Sequence, residues 1–206
     1  MTSRLPSYLV LALWSLISVS SPLAQDPYQL LRESSNGYEP VLPGRIFAFP
    51  RDHYPHKDFK IEWWYLTANL TGENGGRYGI HWTLFRQAMN ANSDPGGWQS
   101  NQVWMAHTAI STPQGFSFSE RFARGGIGQA GVSDQTAKVG FEAWMDEWLW
   151  HSANSSPFPA TLSANTAKAR FQLSLSADNN WILQGEGGFS LKSERGQASY
   201  YYSQPF

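Results

Sequence analysis

From Lys60 the chain reads Lys-Ile-Glu-Trp-Trp-Tyr-Leu-Thr-Ala-Asn-Leu-Thr, dense in aromatic and β-branched residues and free of Gly and Pro. That composition predicts a strand over 60–71. Its even positions are Lys60, Glu62, Trp64, Leu66, Ala68 and Leu70, and its odd positions Ile61, Trp63, Tyr65, Thr67, Asn69 and Thr71. Successive strand side chains point to opposite faces, so large rings stand on both faces. The stretch 72–76 contains three glycines and predicts a hairpin loop, because Gly adopts positive φ at no steric cost. A return strand follows over 77–86, with Tyr78, Ile80, Trp82 and Leu84 alternating with Gly79, His81, Thr83 and Phe85.

The stretch 89–101 is polar and predicts a long loop. Residues 102–112 predict another strand, 113–115 a turn, and 116–122 a strand with Phe116, Phe118 and Phe122 on one face. A glycine-rich connection is expected over 125–135. Over 138–151 the alternation of Val139, Phe141, Ala143 and Met145 favours one strand. Residues 169–177 give a half-buried strand with Phe171, Leu173 and Leu175 inward. Short strands are expected over 181–184, 188–193 and 199–203. Nine or ten strands with short turns and little helix predict an all-β, antiparallel barrel or sandwich built from hairpins.

The first residues read differently. Arg4 precedes an apolar run over 9–17 and a small-residue stretch over 18–24. This is the layout of a secretory signal peptide over 1–24, and the run is too short to span a bilayer comfortably. An uncleaved N-terminal anchor is the bland alternative. Export, to the periplasm or outside the cell, is therefore expected. A lead-in rich in Pro, Gly and Ser over 25–44 would join this to a domain over 45–206.

Composition narrows the chemistry. The 206 residues contain no cysteine, which removes disulfides, thiol nucleophiles, thiolate metal sites and lipobox acylation. Net charge is −1, with no basic stripe to suggest nucleic acid. Nine of the ten tryptophans follow the apolar run, supplying rings that each bury about 150–250 Å². No G-x-S-x-G elbow, Walker loop or dinucleotide fingerprint is present, and no cofactor is implied.

Two residues are catalytic candidates. Glu62 stands amid rings; facing inward, it would be desolvated and suited to protonating an alkene, with Trp63, Trp64 and Tyr65 flanking the resulting cation. The structural alternative, weighed more heavily, pairs Glu62 with Arg86 or Arg77 across the hairpin. His107 is central in its strand, as a proton donor or as a hydrogen-bond partner only. His53, His56 and His81 with Glu62 match no standard zinc spacing, so no metal is expected. Trp144, Trp148 and Trp150 read as a face for interdomain packing rather than a ligand lining.

The run Glu62-Trp63-Trp64-Tyr65-Leu66-Thr67, with His56 before it and Leu84-Phe85-Arg86 ending the next strand, is distinctive. Trp104-Met105-Ala106-His107, Trp144-Met145-Asp146-Glu147-Trp148 and Ser199-Tyr200-Tyr201-Tyr202-Ser203 follow in order. This series resembles the AttH family, which includes the carotenoid 1,2-hydratases such as hydroxyneurosporene synthase. The resemblance implies the N-terminal one of two tandem lipocalin-like domains, with the second apparently absent. No catalytic residue of the hydratases carries over.

Three functions are compatible with this reading. The first is a lipocalin-like module of the cell envelope binding a hydrophobic or amphipathic small molecule through Glu62, Trp64, Tyr65, Arg86 and His107. The resemblance makes association with an ABC export system plausible. The second is a cofactor-free hydratase or a hydrolase acting on an isoprenoid-type substrate, needing a second domain. The third is a structural half-domain. Fold analogy does not choose among them.

Overall fold

The computed structural model describes residues 36–134, 140–167, 169–177, 180–193 and 197–206. The expected signal peptide over 1–24 and the lead-in over 25–35 lie outside the described residues.

Four long strands form the first sheet: β1 (Ile61–Thr71), β2 (Arg77–Ala88), β3 (Gln102–Thr112) and β4 (Gly115–Arg124). They pair in chain order, each antiparallel to the next. The register places Glu62 opposite Arg86, Trp64 opposite Leu84 and Leu66 opposite Trp82. Even positions of β1 therefore share a face with even positions of β2, and this face is the buried one. Leu66, Ile80, Trp82, Leu84, Trp104 and Ala106 all lie in the core.

The second sheet contains β5 (Ala130–Val132), β6 (Phe141–Met145), β7 (Trp148–Ser152), β8 (Ala160–Asn165) and β9 (Arg170–Leu175), again in chain order. Its inward face carries Phe141, Met145, Trp148, Trp150 and Leu162, all buried. Trp82 of the first sheet meets Trp150 of the second edge-on, ring centroids 6.0 Å apart. Two sheets thus pack face to face as a sandwich. Among the described residues no strand pairing joins them into a closed barrel. Large side chains interdigitate between the sheets.

The stretch expected as one strand over 138–151 is a hairpin; its first two residues lie outside the described set. Asp146 and Glu147 turn the chain, and Asp146 takes φ 52°, a left-handed value that Asp tolerates better than most side chains. The turn changes which face each ring meets. Trp148 and Trp150 point into the core, while Trp144 lies on the other side and donates through Nε1 to the Gly128 carbonyl. The shared interdomain face expected for these three tryptophans does not exist. The glycine-rich connection also contains β5, and β8 lay in a stretch with no expected element.

Four short strands complete the chain: β10 (Ile182–Leu183), β11 (Phe189–Leu191), β12 (Ala198–Tyr200) and β13 (Tyr202–Ser203). β10 pairs with β13 and β11 with β12. The three tyrosines of this segment split by strand alternation. Tyr200 donates to the Leu42 carbonyl, and Tyr202 donates to the Asp52 carbonyl, tying down the segment before β1. Tyr201 turns the other way, onto the rings of Trp63 and Tyr65.

Candidate functional site

The two faces of the first sheet carry different chemistry. On the inward face, at one end of the sandwich, charges alternate along a chain of contacts. Arg45 meets Asp52 at 2.7 Å, and Asp52 meets His56 Nε2 at 2.9 Å. His56 Nδ1 meets Glu62 Oε1 at 2.9 Å, and Glu62 Oε2 accepts from Arg86 Nε at 2.8 Å. Arg86 is 2% exposed. Its remaining donors go to Gln102 Oε1 and to the carbonyls of His56 and Phe59. A buried guanidinium must satisfy its donors, and here it does so against side chain and backbone alike.

Burial alone would raise the Asp52 carboxyl, yet the Ala48 N–H, the Arg45 guanidinium and His56 together hold it below the ordinary range. The Glu62 hydrogen bond, aided by Asp52 and opposed by burial, raises His56. Both its ring nitrogens face carboxylate oxygens, which accept and never donate when ionised. The geometry is that of an imidazolium. His53 is the opposite case: burial pushes it down to about 4. Tyr202 spends its single proton on the Asp52 carbonyl, so His53 Nδ1 donates to the Tyr202 oxygen at 3.0 Å.

Outward, the odd positions of β1 and β2 and their partners form rows across the strands. Trp63, Phe85, Met105 and Phe122 lie in one row. The next contains Tyr65, Thr83, His107 and Glu120, and the one after it Thr67, His81, Ala109 and Phe118. An apolar row thus adjoins a hydrogen-bonding row. Thr67 and Thr83 hold His81 from either side, at 3.1 and 2.6 Å. Burial lowers His81, with His107 adding to the effect. Burial likewise lowers His107, against the pull of Glu120. The rings of Phe85 and Phe118 stand edge-on to the His107 imidazole. His107 Nε2 lies 3.8 Å from Glu120 Oε2, beyond hydrogen-bond reach, and has no other partner. Tyr65 and Tyr201 share a 2.5 Å hydroxyl contact, and burial followed by that bond pushes Tyr65 up to about 12.

The five candidate ligand residues therefore do not converge. Glu62, Trp64 and Arg86 face the interior, while Tyr65 and His107 face out through the opposite side of the sheet. Trp64 stacks on Trp104 and donates to the His53 carbonyl at 2.8 Å, a packing role. Of the two pairings weighed for Glu62, the partner is Arg86. Asp52 and Gln102 carry no site role in the sequence reading, and Tyr201 and Tyr202 enter it only through the Ser199–Ser203 motif. The Asp52-x3-His56-x5-Glu62 spacing and the alternation of the three tyrosines were the signals available. Among the described residues no group of three or more His, Asp or Glu is placed to hold a metal ion. His56 and His81 stand on opposite sides of the sheet, and the His53 ring packs 4.4 Å from that of Trp181.

The AttH-like family model matches residues 40–206. A solved structure from Nitrosomonas europaea, assigned to AttH, is 31% identical and superposes with a TM-score of 0.61. The alignment covers 81% of this chain and 49% of that one, so the chain spans about half its length. No curated protein matches.

Proposed function

The chain belongs to the AttH-like family, and from that premise we propose that it binds an amphipathic small molecule on the outward face of the β1–β4 sheet. One observation carries the reading: the row Trp63–Phe85–Met105–Phe122 runs beside the row Tyr65–Thr83–His107–Glu120. Adjacent rows on one face lie about 7 Å apart, and four strands span roughly 14 Å. An apolar chain of about that length would lie across the first row, with its polar group on the second. Partly exposed rings at Trp63, Phe85 and Phe122 flank a buried Met105, and the unpartnered His107 Nε2 lies just beneath them, so a ligand's polar group would reach it as neighbouring side chains give way. The interior is a less suitable place for it, because Trp82, Trp148 and Phe141 fill the space between the sheets.

Geometry ranks the enzymatic alternative second. A hydratase or hydrolase would draw on Glu62 or His107, and these stand on opposite faces. Both Glu62 oxygens already accept from His56, and one also accepts from Arg86. Export to the cell envelope belongs to the same proposal, and fractionation of expressing cells tests it separately.

Titration with long-chain alcohols and fatty acids tests the binding reading. The expected result is a raised Tm, with a change in tryptophan emission that Trp63→Phe diminishes. Ligands that leave both signals unmoved, or that act equally on a Phe85→Ser variant, would remove this face as the site.

A further inference from the structure

We propose that β4 is the seam of a homodimer, pairing antiparallel with β4 of a second copy so that Phe122 faces its own counterpart across a two-fold axis. The proposal concerns the edge of the sheet and stands whether or not its face binds a ligand.

The backbone makes β4 available. It occupies one edge of the first sheet, bonded on one side to β3. The Gly125 N–H donates to the Gln102 carbonyl, and these two residues stand opposite in the β3–β4 register. In an antiparallel ladder, bonded pairs recur every second residue. Odd positions of β4 thus point their N–H and C=O groups at β3. Even positions, Phe116, Phe118, Glu120, Phe122 and Arg124, point theirs away from it. Among the described residues no strand pairs with that side. The ladder runs without interruption from Gly115 to Arg124 and contains no proline. An edge this long, without a bulge or proline to blunt it, is a template for another strand.

The side chains select the partner and the register. Phe122 is exposed at 47%, while Phe116 and Phe118, at 69% and 47%, lie farther along the same edge, outside the paired stretch 120–124. A self-pairing must match even positions with even positions, since only these have outward backbone groups. Centring it on Glu120 sets two carboxylates directly opposite, which is unfavourable. Centring it on Arg121 sets two guanidiniums directly opposite, and centring it on Ser117, Phe118 or Ser119 gives Glu120 no cation. Centring it on Phe122 places Glu120 against Arg124 of the partner subunit, and the two-fold axis repeats that pair. Arg121 then lies opposite Ala123 of the partner subunit, so no like charges meet. The apolar row of the outward face also continues across the seam through the paired Phe122 rings. A second copy of this chain supplies this complementarity by symmetry.

Charge reversal of the two exposed residues tests the seam. Sedimentation equilibrium of the full chain, from micromolar to millimolar concentration, should show a monomer–dimer equilibrium. Glu120→Arg alone, or Arg124→Glu alone, sets like charges in register and should weaken dimerisation at least tenfold. Glu120→Arg combined with Arg124→Glu recreates both pairs and should restore it. Circular dichroism on each variant confirms that the fold is kept, as the exposure of both positions leads one to expect. A wild-type chain that stays monomeric throughout overturns the proposal. So does a dimer indifferent to the single reversals, or one that the double reversal fails to restore.

Discussion

Arg86 Nε donates to Glu62 Oε2 over 2.8 Å from the position directly opposite in the β1–β2 register. The pair shows how strand parity decides chemistry. Both residues sit at even positions, so both turn inward with Leu66 and Trp82, and the charge of each is matched where water is scarce. Removing one partner of a buried pair typically costs about 3–5 kcal/mol, because it leaves the other charge uncompensated. The two deletions are not equivalent. Glu62→Leu strands a guanidinium 2% exposed. Arg86→Met leaves a carboxylate that His56 still holds. Glu62→Leu should therefore be the more damaging in urea unfolding, and the double variant should cost clearly less than the sum of the two. Additive losses would mean that the pair contributes no coupling.

Stability should peak near pH 6.5 and fall on both sides, because His56 is raised while burial lowers His53, and with it His81 and His107. His56 is raised by Glu62 and Asp52. Its contribution is complete below about 6.5, the ordinary imidazole value, and fades as pH climbs through its folded pKa. His53 is depressed to about 4 by burial. The unfolded chain takes up that proton first, so stability declines as pH drops from about 6.5 to 4, by on the order of 3 kcal/mol. The Asp52 carboxyl, held below 3.8, adds its loss only at lower pH. Urea midpoints across pH 4–9 check this. His56→Gln should flatten the alkaline limb and leave the acid limb in place.

The long strands were legible because their patterns are long. The strand from Gln102 to Thr112 has the expected bounds, and Phe116, Phe118 and Phe122 do share a face. The hairpin at Asp146 was not legible, because its turn lacks Gly, Pro and Asn and the alternation reads straight through it. A two-residue turn reverses direction and shifts the inward set from odd positions (Phe141, Ala143, Met145) to even ones (Trp148, Trp150), which separates Trp144 from Trp148 and Trp150. The candidate site failed for a related reason. Glu62 and Tyr65 are neighbours in sequence, but an odd separation along a strand puts them on opposite faces. Arg86 was findable as the partner of Glu62. The register that joins Tyr65 to Thr83 and His107 depended on a hairpin loop length whose consequence emerged only in three dimensions.

Gly140→Ala should be among the more damaging single-methyl additions. Gly140 takes φ +83°, and a Cβ there would fall on the Ser152 carbonyl oxygen. Backbone conformation alone accounts for about 1–3 kcal/mol, and the neighbour is main chain that cannot swing aside. Phe141 beside it is fully buried and opens β6, so relaxation would disturb the core. Differential scanning calorimetry should show a lowered Tm. Gly75→Ala is the control: its φ is +77°, but nothing stands within 4 Å. A smaller loss at Gly75 isolates the steric part of the Gly140 effect, whereas equal losses would assign all of it to backbone conformation.

Ligand binding should separate the apolar row from the polar one. Phe85→Ala removes a ring from the middle of the first row while leaving the core face of β2 untouched. It should weaken binding of a long-chain alcohol about tenfold to a hundredfold, the scale of one large side chain withdrawn from contact. His107→Leu keeps apolar area and removes the unpartnered nitrogen. It should weaken the alcohol more than an alkane of equal length, since the alkane has no polar group to lose. The lowered His107 adds a pH signature. The imidazole is neutral at pH 7 and gains charge only as pH falls below its ordinary value of about 6.5. Fatty-acid binding should therefore strengthen relative to alcohol binding on acidification, through the new cation, until the acid itself is protonated. Isothermal titration at pH 7.5 and pH 5.5 measures both ligands. An alcohol-to-acid preference unchanged by His107→Leu would remove His107 from the site and leave the aromatic row as a packing surface alone.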